Sequence, residues 1–242
     1  MKVLGFDTAT RATAVAVLDR DTGAIRERRD DPPGGARPRH TSRLLPLAAQ
    51  ALADAGTDWS GVDLIAVGTG PGTYTGIRIG VASARALAAA HGIPIAGVST
   101  LRALAAGAAG AADDGELVLA VLDARRGEVF VAGWRPDEVG RGDAEPVLSP
   151  RALAPGTLAE ALAAADGQWL AVGDGALAHR AQVEATGARV PHAEEPLHRV
   201  SAAAICRLGL VARAGAADGV RPDYLREPDA TPPATLRGGG SA

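Results

Sequence analysis

A glycine-rich turn at residues 68–80, GTGPGTYTGIRIG, constrains the fold of this chain more than any other stretch. A short apolar run at residues 63–67 precedes it, and an alanine-rich run at residues 81–90 follows it and stops at Gly92. The first run predicts a buried strand, and the second predicts a helix. The glycines therefore fall on a strand-to-helix turn, where the backbone bends sharply and can approach a ligand or a partner closely.

Such a turn also directs free backbone N–H groups at the start of the helix, which is a natural anion site. The usual phosphate-binding templates nevertheless do not fit. A P-loop needs a lysine after its last glycine, but Ile77 follows Gly76, and Lys2 is the only lysine of the chain. A dinucleotide fingerprint begun at Gly70 would place its third glycine at Thr75. Two interpretations stay open: a turn that only folds, and a turn that contacts a ligand or a partner.

The motif GPGTYTGIRIG at residues 70–80 closely resembles the signature of the bacterial TsaB (YeaZ) family, usually GPGSFTGLRIG. The differences, at Thr73, Tyr74 and Ile77, are conservative. Other segments also resemble the family, over residues 3–226 in all. They are HTSRLLP from His40, DARRGEVF from Asp123, GDG from Gly173 and RPDYLR from Arg221.

Two short, largely apolar segments at residues 2–6 and 12–18 each predict a strand, and residues 24–29 alternate enough to predict a third. A helix, a strand, a helix and a strand follow, which is the element order of a ribonuclease H-like lobe, as in actin, hexokinase and Hsp70. The family resemblance implies two such lobes. We therefore expect an α/β protein with two ribonuclease H-like lobes of the actin/Hsp70/sugar-kinase (ASKHA) superfamily, the second lobe smaller and degenerate.

The expected boundaries follow from the same resemblance. We place the N-terminal lobe, which carries the docking helices, at residues 1–99 and the smaller C-terminal lobe at residues 100–199. A last helix within residues 200–226 is expected to pack back on the first lobe. Residues 227–242 are rich in proline and glycine, which predicts a disordered tail.

The first hairpin turn is the candidate nucleotide site. In the ATPases of this superfamily that turn grips phosphate, and an aspartate positions the metal. Asp7 and Thr8 occupy the matching place, and Asp123 occupies the repeated place in the second lobe, but Ala9 stands where those ATPases commonly carry glycine. An ordinary turn explains Asp7 equally well, and a charged hairpin tip that includes Arg125 explains Asp123. We expect no cofactor in the isolated chain, and ATP or ADP only within a complex.

No catalytic or metal-binding residue is predicted. The family's catalytic relative, TsaD, carries two metal-binding histidines one helical turn apart, and the resemblance places Thr100 and Leu104 at those positions. A hydroxyl and an alkane cannot replace two imidazole ligands. Cys206 is the sole cysteine, which excludes an internal disulfide and a cysteine-rich metal site.

Small residues recur along the helix after the signature, where Gly76, Gly80 and Ala84 follow one another at helical spacing. Such a stripe lets another element approach closely, most often the domain's own sheet. The resemblance implies instead that this helix and the preceding one form the face that pairs with another subunit. The expected interface residues are His40, Leu44, Leu45, Ala48, Leu52, Tyr74, Gly76, Ile77, Gly80, Ser83 and Ala84.

The resemblance implies a function in making N6-threonylcarbamoyladenosine at position 37 of tRNA. The protein would be a non-catalytic scaffold that binds TsaD, helps recruit the ATPase TsaE, and forms a homodimer when alone. The net charge is −3, and no long run of like charges occurs, so no large basic footprint for nucleic acid is evident. We therefore expect tRNA to be held mainly by TsaD.

Two other functions stay open. Asp7 and Asp123 would also suit an active ATPase or phosphotransferase of the same superfamily, and a peptidase activity has been proposed for relatives of this family. The sequence does not identify a serine–histidine–aspartate triad, because triads are recognised by their geometry and not by the order of their residues. No apolar run approaches the roughly 20 residues that span a bilayer, and Asp7 interrupts the early one. We expect a cytoplasmic protein without membrane contact.

Overall fold

The computed structural model describes residues 1–226, so the tail predicted at residues 227–242 lies outside the described residues. Five strands form the first sheet: β1 (Lys2–Asp7), β2 (Thr13–Asp19), β3 (Ile25–Asp30), β4 (Leu64–Gly70) and β5 (Ile95–Ser99). Their order across the sheet is β3-β2-β1-β4-β5. The first three strands are antiparallel neighbours, β4 runs parallel to β1, and β5 runs parallel to β4.

Apolar residues on both faces place β1 in the middle of this sheet. Successive strand side chains point to opposite faces, so Val3 packs into one hydrophobic cluster and Leu4 into another. The strand β3 instead alternates partly buried and exposed residues and carries charges such as Arg26 and Arg28. Charged side chains suit an edge strand, because they discourage pairing with another chain.

Two helices, α1 (His40–Asp54) and α2 (Tyr74–His91), cover one face of the first sheet. Leu44 of α1 and Ile77 of α2 are buried with Leu4 of β1 in one cluster. The helix α2 ends where the sequence predicts, at Gly92, whose φ of 67° is left-handed. A glycine adopts that conformation without a steric penalty, which explains the stop.

The second sheet has four strands: β6 (Glu116–Arg125), β7 (Glu128–Trp134), β8 (Leu148–Leu153) and β9 (Gln168–Val172). Their order is β8-β7-β6-β9, with β6 parallel to β9 and antiparallel to β7. Three short helices pack against its outer face: α4 (Leu158–Leu162), α5 (Asp174–Ala178) and α6 (Arg180–Glu184). His179 lies between α5 and α6.

Two helices lie between the sheets: α3 (Thr100–Ala108) and α7 (Ala202–Val211). The helix α7 packs on β1, β2 and β4, whereas α3 packs on α7 and on β6 and β7. Their side chains join apolar residues of both sheets in one cluster, which makes this layer the common core.

The expected fold class is confirmed, since two α/β lobes of ribonuclease H-like strand order are present and the second has fewer strands and shorter helices. The three opening strands lie within one residue of their predicted ends. Within residues 1–226, no helix combines the length and the apolar character that crossing a membrane requires.

Candidate functional site

The signature turn between β4 and α2 closes directly on the hairpin turn between β1 and β2. The backbone N–H of Thr73 donates to the carbonyl oxygen of Ala9 over 2.7 Å. The hydroxyl of Thr8 donates to the carbonyl oxygen of Gly76 over 2.7 Å. A Cβ atom on Gly76 would lie 2.0 Å from the carbonyl oxygen of Thr8, so only glycine permits this approach. Gly72, Gly76 and Gly80 of the signature are therefore explained by contact with Thr8 and Ala9 of the protein's own first turn.

Asp7 is buried at the centre of this contact. Its Oδ1 accepts a hydrogen bond from the N–H of Ala9 over 2.9 Å, and its Oδ2 accepts one from the hydroxyl of Thr100 over 2.8 Å. The same hydroxyl oxygen accepts from the N–H of Gly70 over 3.1 Å. Burial raises the pKa of Asp7, while hydrogen bonds from Thr100, Ala9 and Thr10 oppose that rise. The carboxylate braces β1, the signature turn and the start of α3 together.

The candidate nucleotide residues of the first turn thus have internal partners. Both oxygens of Asp7 and the hydroxyl of Thr8 are hydrogen-bonded within the chain. The side chain of Thr8 also faces α2, because a Cβ on Gly80 would lie 2.5 Å from its Oγ1. Nucleotide binding at this turn stays a prediction, and it would require these contacts to be exchanged.

The corresponding turn of the second lobe is closed by its own arginine. The N–H of Arg125 donates to Oδ1 of Asp123 over 2.8 Å, and its Nη1 donates to Oδ2 over 2.9 Å. Arg125 and Arg126 both have left-handed backbones, with φ of 64° and 55°. In the structure, Asp123 is therefore paired with Arg125, as a charged hairpin tip would be.

The GDG segment meets this turn. Oδ1 of Asp174 accepts a hydrogen bond from the N–H of Asp123 over 3.0 Å. Burial raises the pKa of Asp174, and the negative charge of Asp123 adds to the rise. Sequence reasoning singled out both segments separately, but only the folded chain shows that they contact each other.

The small-residue stripe of α2 requires a correction, because it faces the protein's own sheet. Besides its approach to Thr8, a Cβ on Gly80 would lie 3.7 Å from a methyl group of Val67 in β4. Ala84 is completely buried in the same lobe. Small residues let a helix approach its nearest neighbour, and in a layered α/β lobe that neighbour is the sheet. These residues are core, so we no longer assign them to a partner interface.

The expected interface residues divide by burial. Those inside the lobe are His40, Leu44, Ala48, Leu52, Gly76, Ile77, Gly80 and Ala84. Ser83 is partly buried, and Leu45 and Tyr74 are each 49% exposed. The exposed faces of the helices also carry residues that the sequence analysis did not name: Pro46 and Ala49 on α1, and Arg78, Ala82 and Ala86 on α2. The helical spacing of the apolar residues marks the buried face of each helix, and the exposed residues lie on the opposite face.

His40 has a structural role. Its Nδ1 lies 2.9 Å from the hydroxyl oxygen of Thr13, which ties the start of α1 to β2. Burial lowers the pKa of His40, although the nearby charge of Asp30 opposes that effect. The imidazole is therefore a buried link between two elements of the first lobe.

Thr100 and Leu104, which the resemblance places at the metal positions, are both fully buried in α3, Thr100 as its first residue and Leu104 one turn later. Within residues 1–226, no group of three or more histidine, cysteine and acidic side chains is arranged to hold a metal ion. Over the same residues, no serine hydroxyl is hydrogen-bonded to a histidine. The geometry offers neither a metal centre nor a serine–histidine pair in this part of the chain.

Duplicated mixed sheets with two helices between them define the class: this is a two-lobed protein of the ASKHA superfamily. A family model described as TsaD, tRNA N6-adenosine threonylcarbamoyltransferase, matches residues 31–231. Among curated proteins, the tRNA threonylcarbamoyladenosine biosynthesis protein TsaB of Escherichia coli is 36% identical over 175 residues, 72% of each chain. The protein of that name from Bacillus subtilis is 31% identical over 227 residues, 93% of this chain and 94% of the relative.

Solved structures agree with the sequence relatives. The YeaZ structure from Pseudomonas aeruginosa has a TM-score of 0.73 at 28% identity and covers 93% of this chain and 99% of that one. A second structure from the same organism, described as similar to peptidase YeaZ, also gives 0.73, at 30% identity and the same coverage. The chain belongs to the TsaB (YeaZ) family, within the group of proteins that the TsaD family model describes.

Proposed function

We propose that this protein is a non-catalytic subunit in the synthesis of N6-threonylcarbamoyladenosine in tRNA, and that it acts by binding a TsaD-class transferase. The names of its relatives in Escherichia coli and Bacillus subtilis support the pathway. The observation that supports the non-catalytic role is the hydrogen bond of the Thr100 side chain. Its hydroxyl donates to the carboxylate of Asp7 over 2.8 Å. The family resemblance places Thr100 at the position of a metal-binding histidine of the transferase.

The docking surface that we propose is the outer helical face. It is defined by Leu45, Pro46 and Ala49 of α1 and by Tyr74, Arg78, Ala82 and Ser83 of α2. The two helices contact each other. Exposed apolar residues such as Leu45 and Tyr74, with small residues beside them, suit a protein partner. In the absence of TsaD, we expect two copies of the chain to pair through the same face.

The other expected partners follow from this arrangement. TsaE would join the complex of the two subunits, and tRNA would be held mainly by the TsaD-class chain, because the net charge of this protein is −3. An ATPase or phosphotransferase has less support, since Asp7 and Thr8 are hydrogen-bonded within the chain.

The test combines binding with activity. The chain is purified and mixed with the TsaD-class protein of the same organism, and the dissociation constant is measured by calorimetry. Ala82→Arg introduces a long charged side chain on the outer helical face, and we expect affinity to fall by about tenfold or more. Val211→Arg, at an exposed position at the end of α7, is the matched control and should bind as the wild type does.

The two parts of the proposal fail in different ways. Absence of binding by the wild type contradicts the partnership, and equal weakening by both variants contradicts the choice of surface. Formation of the modified nucleoside by the purified chain alone, from threonylcarbamoyl-adenylate and tRNA, would contradict the non-catalytic role.

A further inference from the structure

The C-terminal residues 215–226, which we call the strap, run from the edge of the first sheet to the second lobe. The strap begins at Gly215, which exchanges two backbone hydrogen bonds of 3.0 Å with Ile95 of β5. The guanidinium of Arg85 in α2 then donates to the carbonyl oxygen of Asp218 over 2.7 Å. The strap is therefore attached to both the sheet edge and the helix that follows the signature turn.

Further along, the strap crosses the signature turn itself. The N–H of Asp223 donates to the carbonyl oxygen of Thr69 over 2.8 Å. A Cβ on Gly70 would lie 2.8 Å from the carbonyl oxygen of Asp223, so the two backbones are in close contact. Val220 is 8% exposed and joins the cluster under α1 and α2. The glycine-rich turn thus has the first hairpin turn on one side and the strap on the other.

The strap ends in an aromatic contact with α2. The chain has two tyrosines, and they stack on each other: the ring centroids of Tyr74 and Tyr224 are 5.3 Å apart, with 29° between the planes. Arg78 completes the group, since its Nη1 donates to the hydroxyl of Tyr74 over 2.7 Å and its guanidinium carbon lies 4.9 Å from the ring centroid. Tyr74, the first residue of α2, is thereby contacted from two sides.

Arg226 continues the strap to the second lobe. Its Nη1 donates to Oε2 of Glu128 in β7 over 2.5 Å, and its Nη2 donates to the carbonyl oxygen of Ala124 over 3.3 Å. The short segment from Asp223, which bonds Thr69, to Arg226 therefore spans from the signature turn to the hairpin of the other sheet.

Covering the edge strand β5 explains why the strap begins as it does, because an uncovered edge invites pairing with another chain. It does not explain the tyrosine pair, which lies beyond β5 and leaves 49% of Tyr74 and 40% of Tyr224 exposed. A pair so exposed adds little to the core. Its main physical effect is to restrict where the ring of Tyr74 points and how freely the first turn of α2 moves.

We propose that the strap positions the docking surface: Tyr224 holds Tyr74 and the first turn of α2 in the orientation that the partner meets. Tyr224 is a positioning residue, and it acts through Tyr74. The part of this inference that concerns the partner rests on the proposed function. The part that concerns the signature turn does not, because it is a property of the isolated chain.

The test uses the full chain with Tyr224→Ala, Tyr224→Phe and, as the matched control, Val211→Ala at another exposed apolar position. Amide hydrogen exchange is followed at Gly70 and Thr73, whose N–H groups bond Thr100 and Ala9. We expect Tyr224→Ala to speed exchange there by about two- to tenfold, the range for losing one aromatic pair. Tyr224→Phe, which keeps the stacked ring, should restore wild-type exchange, and strands of the second sheet should be unchanged.

Affinity for the TsaD-class partner is measured on the same preparations. Local acceleration with a parallel loss of affinity, both restored by Tyr224→Phe, supports the proposal. Unchanged exchange in Tyr224→Ala, or exchange that rises equally in both lobes, would overturn it. Local acceleration with unchanged affinity would overturn the role in docking. If the wild type binds no partner, the proposed function fails, and the exchange measurements still decide whether the strap holds the turn.

Discussion

The hydroxyl of Thr100 donates a hydrogen bond to Oδ2 of Asp7 over 2.8 Å, although 93 positions separate the two residues. This bond joins the end of β1 to the start of α3, and through the N–H of Gly70 it also includes the signature turn. Asp7, which the resemblance places at a nucleotide site, and Thr100, which it places at a metal-ligand position, are therefore hydrogen-bonded to each other. That relationship favours a subunit that presents a surface over one that performs chemistry at this turn.

Replacing Asp7 by asparagine should change how stability depends on pH. Burial raises the pKa of Asp7 above its unfolded value, so the native state binds this proton more tightly than the unfolded chain does. The contribution of Asp7 to the stability of the wild type therefore falls as the pH rises through the unfolded value of about 4 and on through the folded pKa. The asparagine side chain carries no charge, so the stability of Asp7→Asn relative to the wild type should increase from acid to neutral pH.

Chemical denaturation across that pH range measures the difference. Asp137→Asn, a change at an exposed loop position, serves as the control. A relative stability of Asp7→Asn that is constant, or that declines toward neutral pH, would contradict the environment assigned to Asp7.

Gly80→Leu should destabilise the isolated protein. A side chain there would meet Thr8, since even its Cβ would lie 2.5 Å from Oγ1. Overpacking of this kind costs about 1–3 kcal/mol, which lowers the melting temperature by a few to about ten degrees in a chain of this size. Ala82→Leu, on the exposed side of the same helix, should melt as the wild type does and weaken partner binding.

Thermal unfolding and partner affinity are recorded together for both variants. If Gly80→Leu keeps the wild-type melting temperature and binds its partner less tightly, the stripe is an interface after all. Equal melting temperatures for all three proteins would also contradict the core assignment.

Breaking the ion pair between Glu116 and Arg189 should make the second lobe less stable, most clearly at neutral pH. The Nη2 of Arg189 lies 2.5 Å from Oε2 of Glu116, and its Nε lies 3.0 Å from Oε1. Arg189 holds the pKa of Glu116 below its ordinary value. The stabilisation is therefore present above the unfolded pKa and is lost as the pH falls through the folded pKa.

Arg189→Met should cost about 1 kcal/mol at pH 7, a modest value because the arginine is partly exposed to water. The cost should shrink in acid, where Glu116 is protonated. Arg135→Met, which removes an arginine 4.0 Å from its acidic neighbour at the surface, is the control. If the loss of unfolding free energy caused by Arg189→Met grows as the pH falls, the ion pair with Glu116 does not stabilise the second lobe at neutral pH.

Binding of tRNA by the isolated chain should be weak and strongly dependent on salt. The net charge is −3, so few phosphates can be neutralised at once. Filter binding over a salt series measures this, with the complex of the chain and its TsaD-class partner as the comparison. Submicromolar affinity of the isolated chain at physiological salt would reveal a basic surface that the composition hides.

Local sequence patterns predicted much of the fold. The apolar runs gave β1, β2 and β4, because a strand buried on both faces needs apolar residues at nearly every position. The stop at Gly92 was predictable for a similarly local reason, the left-handed backbone that glycine adopts most easily. The signature motif alone indicated the family, and the comparisons confirm it.

The candidate site was predicted less well. The signature turn, with Gly76 and Gly80, was recognised as a place of close approach, but the sequence could not say what approaches. We assigned that contact to a partner, whereas it is made by Thr8 and Ala9 of the same lobe. The contact between Asp123 and Asp174 was missed for the same reason, since nothing in either segment of the sequence indicates that the two come together.

The sequence by itself determined which segments become strands and helices and where α2 can come close to a neighbour. These properties depend on each residue's own backbone preference and on the spacing of apolar side chains along one element. Only the tertiary structure decided which neighbour comes close, which face of α2 is exposed, and that Tyr224 lies on Tyr74. Those outcomes depend on how whole layers pack, because a small residue permits an approach from any partner and an aromatic ring can stack on any other.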